Sequence, residues 1–298
     1  QQQMNILITG GSGFIGKHLV ERLSKNNKIY VLDKKPFRKK SKNIKFINGN
    51  VTNFFNFKKL KRIHRIYHLA AQTSAEISEM QPLLDLKTNI YGTYNICKFA
   101  IKSNVKEVIF TSSMAVYGES KNKIRENDEC NPSSIYGMSK LFGEKLIQNL
   151  SKNKIDYKIF RLFNVYGPGQ DLKNFKQGMV SIYLSQLIHS NKILVKGSLE
   201  RFRDFIYIDD LIDVLVNNKI KKNNIFNVGS GKKTKVKTLI KLIEKISEKN
   251  LRIIEGNKTP GDIYGNFANI DKLKKNKNIK LKTDIKSGLT KMIKSIKL

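Results

Sequence analysis

Tyr136 and Lys140 stand four residues apart in Tyr136–Gly137–Met138–Ser139–Lys140. On a helix that spacing puts a phenol and an ammonium on one face. An adjacent ammonium favours the phenolate and draws the phenol pKa toward working pH, which suits a general base. The spacing also arises by chance, and its bland reading is a surface Tyr packed on a Lys stem. Ser113 adds weight: Phe110–Thr111–Ser112–Ser113 closes an apolar run. Hydroxyls at the carboxyl end of a parallel strand face a ligand crevice.

A second pattern binds rather than reacts. Thr9–Gly10–Gly11–Ser12–Gly13–Phe14–Ile15–Gly16 lies between an apolar run and a helical pattern. Gly10, Gly13 and Gly16 follow G-x-x-G-x-x-G. Such a loop lets a pyrophosphate approach backbone N–H groups at a helix N-terminus. Asp33 ends the next apolar run, where a carboxylate takes both ribose hydroxyls of an adenosine and repels a 2′-phosphate. NAD is therefore favoured over NADP, although Lys34 and Lys35 follow at once.

These residues need a frame. Ile6–Ile8, Ile29–Leu32, Ile44–Ile47, Arg65–Leu69, Val108–Phe110 and Tyr157–Phe160 read as strands. Phe14–Leu23, Leu83–Lys102 and Tyr136–Leu150 read as helices. The alternation predicts an α/β fold: a Rossmann-type doubly wound parallel sheet with helices on both faces. The regularity fails after Arg161, and Asn164–Gly178 reads as long loops. Phe205–Ile208 and Ile225–Val228 read as further strands, Thr234–Glu248 and Lys286–Ile296 as helices. No repeat or tether appears, so a smaller lobe of interleaved segments is expected. The division is 4–165 with 203–250 for the cofactor-binding domain, and 166–202 with 251–298 for the substrate lobe.

Composition bounds the rest. The 298 residues carry a formal charge of +33, with 57 Lys+Arg against 24 Asp+Glu, and only 9 of the 57 are Arg. The lysines are spread through Asn- and Ile-rich stretches, whereas a nucleic-acid reader clusters its basic residues and favours Arg. A solvated surface is the reading, with no nucleic-acid partner. No apolar run reaches the ~18 residues of a membrane span. Gln1–Gln2–Gln3 reads as a remnant ahead of Met4, without a signal-peptide pattern. Cys97 and Cys130 are too few for a disulfide scaffold or a Cys-based zinc site, and His18, His64, His68 and His189 have no metal spacing. A reducing, cytoplasmic compartment fits.

Taken together, the glycine loop, Ser113 and Tyr136-x-x-x-Lys140 resemble the extended short-chain dehydrogenase/reductases. The resemblance runs through His68–Leu69–Ala70–Ala71, Asn89, Arg161–Gly169, Arg203–Asp210 and Pro260–Gly261–Asp262. It is closest to the nucleotide-sugar epimerase/dehydratase group, and within it to UDP-glucose 4-epimerases. Dehydratases of the group carry Asp-Glu after the active-site Thr, where this chain has Met114–Ala115. Neither side chain moves protons, so the resemblance implies oxidation and reduction at one carbon: C4 epimerisation of a UDP-hexose through a 4-keto intermediate.

By that resemblance Ser113, Tyr136 and Lys140 are catalytic. Tyr136 would be the base, Ser113 would hold the reacting oxygen, and Lys140 would hold the nicotinamide ribose and lower the Tyr136 pKa. The cofactor is NAD, held by Gly10, Gly13, Phe14, Ile15, Gly16, Asp33, Asn50, Val51, Leu69, Ala70, Ala71, Thr73, Asn89, Tyr136 and Lys140. The substrate falls to Ser113, Tyr136, Asn164, Arg203, Asp262 and Asn266. Arg203 would anchor the pyrophosphate, and Asn266 would replace a bulky Tyr and admit 2-acetamido sugars. Asn50, Thr73 and Thr259 depart from the family's usual Asp, Lys and Arg. The family pattern further implies a homodimer through the helices near Leu83–Lys102 and Tyr136–Leu150. An NAD(P)-dependent reductase or other epimerase acting on a different nucleotide sugar, and an NAD-binding sensor on the same fold, are the competing readings.

Overall fold

The computed structural model describes residues 3–39, 41–60, 62–276 and 279–296. Five strands of the first half are β1 (Asn5–Thr9), β2 (Lys28–Asp33), β3 (Ile44–Asn48), β4 (Arg65–His68) and β5 (Glu107–Ser113). With Asp156–Leu162 and Asn224–Val228 they form one seven-stranded sheet. Its order is Asn224–Val228, Asp156–Leu162, β5, β4, β1, β2, β3, and every pairing is parallel. Side chains of a strand alternate between faces, and the core divides accordingly. Ile6, Ile8, Ile29 and Val31 enter one buried cluster, Leu7, Tyr30 and Leu32 the other. Both faces are covered by helices, as parallel sheets require.

The order reverses between β1 and β4. At such a point the loops leaving two strands diverge and open a crevice at the carboxyl edge. The loop after β1 and the segment Leu69–Ala71 after β4 both line the cleft found there.

Several expected elements change on folding. Arg65–Leu69 ends one residue early, at His68. The single helix Leu83–Lys102 begins at Pro82 and is broken by a π turn, Lys87–Tyr91, that buries Thr88 and Asn89. A π turn adds one residue to a helical turn, often at a functional site, and here it aims Asn89 into the protein. Phe205–Tyr207 lies outside the main sheet and pairs with Asn164–Tyr166, inside the expected loop. Ile208 opens the helix Ile208–Leu215 instead of ending that strand.

Outside the main sheet, Lys192–Lys196 pairs in parallel with Arg252–Gly256, and the helix Met179–Ser190 packs on the first of them. The expected block 251–298 does not stay together. Asp271–Lys274 packs on Asn224–Val228, and Ile285–Ile296 on Val236–Ser247, because Leu273, Leu289 and Met292 are claimed by the apolar cluster on that side. No helix among the described residues is long and apolar enough to cross a membrane.

Asp204 ties the late segments to this frame. Fully buried, its carboxylate accepts from Ser230 N and Oγ (both 2.7 Å), Gly231 N (2.9 Å) and Ala268 N (3.0 Å). Asp204→Ala strands three backbone donors, each costing about 1–3 kcal/mol when buried and unpaired. A loss of roughly 3 kcal/mol or more is expected, read as a lower urea midpoint at unchanged m-value.

Candidate active site

The helix Ile135–Gln148 carries Tyr136 and Lys140. Its first N–H groups have no partner within the helix, and each finds one outside. Ile135 N donates to Glu79 Oε1 (2.9 Å), Tyr136 N to Ser78 Oγ (3.1 Å) and Gly137 N to Ser134 Oγ (3.1 Å). Two glycines let the helix lie close on the exit of β5. A Cβ on Gly137 would stand 2.4 Å from the Ala115 carbonyl oxygen, and one on Gly143 3.0 Å from the Phe110 ring. Glu144 then takes Arg161 Nε (2.9 Å) and Nη2 (2.7 Å) and the Ser112 hydroxyl (2.5 Å). That buried fork fixes the helix against β5 and its neighbour strand.

Ser113, Tyr136 and Lys140 are thereby brought to one wall of a cleft of about 1220 Å³. The expected effect of Lys140 on Tyr136 is not what the structure shows. Burial pushes the phenol up to about 12, the Asp85 charge adds to this, and a hydrogen bond from Ser113 works the other way. Lys140 is itself pushed down to about 8, chiefly by burial. Its Nζ lies 4.4 Å above the Phe110 ring, where a cation meets the negative face of the π system. In the free protein Tyr136 is therefore a neutral phenol at pH 7.

At the cofactor end the residues fit NAD. Gly10 has φ +71°, and a Cβ on Gly16 would come 2.3 Å from the Gly10 carbonyl oxygen, so the loop and the helix Phe14–Leu23 meet backbone to backbone. Asp33 is held at the mouth by Ser12 N (3.0 Å) and Lys35 N (2.9 Å), with lone pairs left for ribose hydroxyls. Gly10, Gly13, Phe14, Ile15, Gly16, Asp33, Asn50, Val51, Leu69, Ala70, Ala71 and Thr73 all line the cleft. Asn50 spends its Oδ1 on Thr52 N (3.1 Å).

Asn89 is not among the lining residues. Its Oδ1 accepts from Gln72 N (2.8 Å), and its Nδ2 donates to Gln72 O (3.0 Å) and Ser139 Oγ (3.0 Å). It positions the wall instead of forming it.

Across the cleft, Asn164, Arg203 and Asp262 also line it. Arg203 is buried and engaged through both terminal nitrogens: Nη2 meets Asp262 Oδ1 (2.6 Å) and Ile263 O (3.0 Å), Nη1 meets Phe202 O (2.7 Å) and Tyr264 O (3.1 Å). Sequence reasoning passed over Arg201, equally buried, which meets the other oxygen of Asp262 and the Lys196 carbonyl. Two guanidiniums over one carboxylate leave a net positive charge for an anion. Thr73 Oγ1 reaches Gln177 Oε1 (2.7 Å), a bridge between the two walls that the motif did not indicate.

Asn266 must be corrected. It is wholly buried, and its Nδ2 donates to Gly118 O (2.8 Å) and Met114 O (3.3 Å). It lies behind Met114 because two main-chain carbonyls there demand a donor, and Thr259, Gly261, Asp262 and Ile263 line the cleft in its place. Among the described residues no cluster of His, Cys, Asp and Glu could hold a metal. Cys97 is buried, with its thiol pushed up to about 12.

The profile of the NAD dependent epimerase/dehydratase family matches residues 6–229. The chain belongs to this family. NAD is its cofactor, in accord with the glycine loop and Asp33. Among solved relatives, the UDP-glucose 4-epimerase of Thermotoga maritima, crystallised with UDP-glucose, is 30% identical with a TM-score of 0.93, covering 99% of each chain. The UDP-N-acetylglucosamine 4-epimerase of Methanobrevibacter ruminantium is 29% identical, TM-score 0.91, 99% of each chain. A UDP-glucuronic acid 4-epimerase of Bacillus cereus, in complex with UDP-glucuronic acid and NAD, is 26% identical, TM-score 0.88, 99% of each chain.

As an NAD-dependent epimerase/dehydratase the chain needs its loop backbone in register with the cofactor. Gly16→Ala puts a methyl group into the Gly10 carbonyl and forces that backbone apart. Purified Gly16→Ala protein is expected to lose roughly tenfold or more in NAD affinity, at least ~1.4 kcal/mol, measured by titration calorimetry.

Proposed function

We propose that the chain interconverts C4 epimers of a UDP-hexose, with UDP-glucose and UDP-galactose as the first pair to test. One observation carries the reading. Tyr136 and Ser113 line one cleft together with the cofactor loop and the buried Arg201–Arg203 pair, and the adjoining Met114–Ala115 has no protic side chain. With no acid or base at the two positions that follow Ser113, the cleft supports oxidation and re-reduction of a hydroxyl better than loss of water.

In this reading the diphosphate sits against Arg203 and Arg201, since guanidiniums match phosphate oxygens. Asn164 donates to it and Asp262 takes the nucleoside ribose. Tyr136, in its phenolate form, would take the proton of the 4-hydroxyl and become the phenol, while Ser113 holds the oxygen. NAD supplies, when bound, the acceptor and donor of two electrons. After the 4-keto sugar turns over, the hydride taken from C4 would return to the opposite face of that carbon, and Tyr136 would return its proton to the same oxygen. Because Asn266 lies behind Met114, the choice between plain and 2-acetamido hexoses does not rest on it.

The same reading includes a homodimer. Met80, Leu83, Tyr91, Tyr94, Met138 and Phe142 are exposed large apolar side chains on the two adjoining helical segments. An exposed apolar patch of this kind marks an interface.

Pure protein is expected to release NAD(H) on denaturation and to convert UDP-glucose to UDP-galactose without added cofactor, followed by NMR. Tyr136→Phe should lose roughly 10²–10⁴-fold in turnover while keeping its NAD. A strict need for stoichiometric NADH or NADPH points instead to a reductase.

Charge placed in the apolar face tests the assembly. Leu83→Asp together with Met138→Lys is expected to sediment as a monomer where the wild type sediments as a dimer. A monomeric wild type removes the dimer from the reading.

A further inference from the structure

Behind the Tyr136–Lys140 pair lies a carboxyl group that no motif singles out. Asp85, in the helix Pro82–Leu86, is fully buried and does not line the cleft. Its Oδ2 accepts from Gln72 Nε2 (2.8 Å) and Asn89 Nδ2 (3.2 Å), whereas its Oδ1 has no hydrogen-bond partner. The Asn89 amide touching it also meets Ser139 Oγ, and that hydroxyl donates to Tyr136 O (2.9 Å). Three hydrogen bonds therefore run from Asp85 to the turn that carries Tyr136. Through Gln72, the same carboxylate holds the segment that leads to Thr73 and Ser74 on the cofactor wall.

A half-satisfied buried carboxylate is costly unless a charge compensates it. The charged groups around it are few. Lys140 is buried one helical turn beyond Tyr136 and forms no salt bridge among the described residues. Glu144 also faces Lys140, but Arg161 already neutralises it in a two-point pair. His68, on β4, is fully buried and pushed down to about 3, so it stays neutral. Its ring is satisfied by Thr9 Oγ1 (2.8 Å) and Thr93 Oγ1 (2.9 Å). Tyr136 is a neutral phenol at pH 7. Among the described residues neither Asp85 nor Lys140 has an ion-pair partner; the helix Pro82–Leu86 packs on the helix Ile135–Gln148, and the field of Asp85 adds at Lys140 to the larger field of the already paired Glu144.

We propose that Asp85 is a positioning residue for the Tyr136–Lys140 pair: ionised, it is the buried counter-charge that keeps the Lys140 ammonium in place, and through Gln72 and Asn89 it sets the register of the catalytic helix against the cofactor wall. The kinetic part rests on the epimerase reading above. The electrostatic part does not.

Four proteins separate the two: wild type, Asp85→Asn, Lys140→Met and the double variant, each unfolded in urea from pH 5 to pH 9. Asn keeps the shape and the acceptor oxygen of Asp85. In Lys140→Met the carboxyl is uncompensated and its folded pKa stands above the unfolded one. The folded state then holds the extra proton, so the midpoint should rise as pH falls from 7 toward 5. In Asp85→Asn the ammonium is uncompensated, and the folded Lys140 pKa drops below its wild-type value of about 8. The unfolded state then holds the extra proton, so the midpoint should rise as pH climbs from 7 to 9 more steeply than in the wild type. The double variant should show neither slope. Parallel pH profiles in all four proteins would falsify the pairing. If Asp85→Asn does not fold, Lys140→Met against the wild type decides, through the acid slope alone. In the epimerase assay, the alkaline limb of kcat/KM for Asp85→Asn should move about one pH unit toward neutrality, a tenfold deficit at pH 8.5 that shrinks at pH 6.5. A deficit equal at both pH values overturns the kinetic part, and absence of turnover in the wild type counts against the epimerase reading and leaves the urea result to judge Asp85.

Discussion

The close seating of the helix Ile135–Gln148 on the exit of β5 is the contact on which the site depends. Two glycines make it possible, since a Cβ at Gly137 or Gly143 would meet the Ala115 carbonyl or the Phe110 ring. With the helix so close, Tyr136 stands beside Ser113 and Lys140 lies over Phe110. The Glu144–Arg161–Ser112 cluster then locks the helix, placing a charge pair where water does not reach. Such a pair adds little net stability over an apolar substitute, yet it fixes geometry, because removing either partner leaves a buried charge. The cost of burial is carried at the functional wall, and it appears in the perturbed values of Tyr136 and Lys140.

Local chemistry was legible in the chain. The glycine loop follows a strand and opens a helix as its spacing requires, and the Tyr-x-x-x-Lys pair shares a helical face. The parallel sheet follows from alternation of apolar runs and helical patterns. These are short-range signals, because backbone geometry sets which side chains share a face.

What escaped depended on distant partners. Arg201 has no neighbour in sequence that explains it; its partner Asp262 lies 61 residues on. Asn266 has a side chain that would suit a sugar pocket, but two carbonyls at Met114 and Gly118 claim it. Asn89 likewise serves Gln72 and Ser139. Periodicity does not foresee a π turn, since its extra residue changes no apolar spacing that a reader can count. The pKa of Tyr136 was misjudged because proximity along a helix was taken for proximity of charge, while burial and the Phe110 ring decide where the ammonium rests.

The order in which the chain is made bears on the two ends of the cleft differently. The cofactor loop, Asp33, Ser113, Tyr136 and Lys140 all lie within the first 140 residues. Arg203, by contrast, is held by carbonyls of Ile263 and Tyr264 and by Asp262, and Asp204 by Ala268. A ribosome-bound chain must therefore release residues as far as Ala268 before the anion end of the cleft exists. The residues of the dinucleotide wall are made well before then, so the two ends of one cleft are supplied by early and late stretches of the chain.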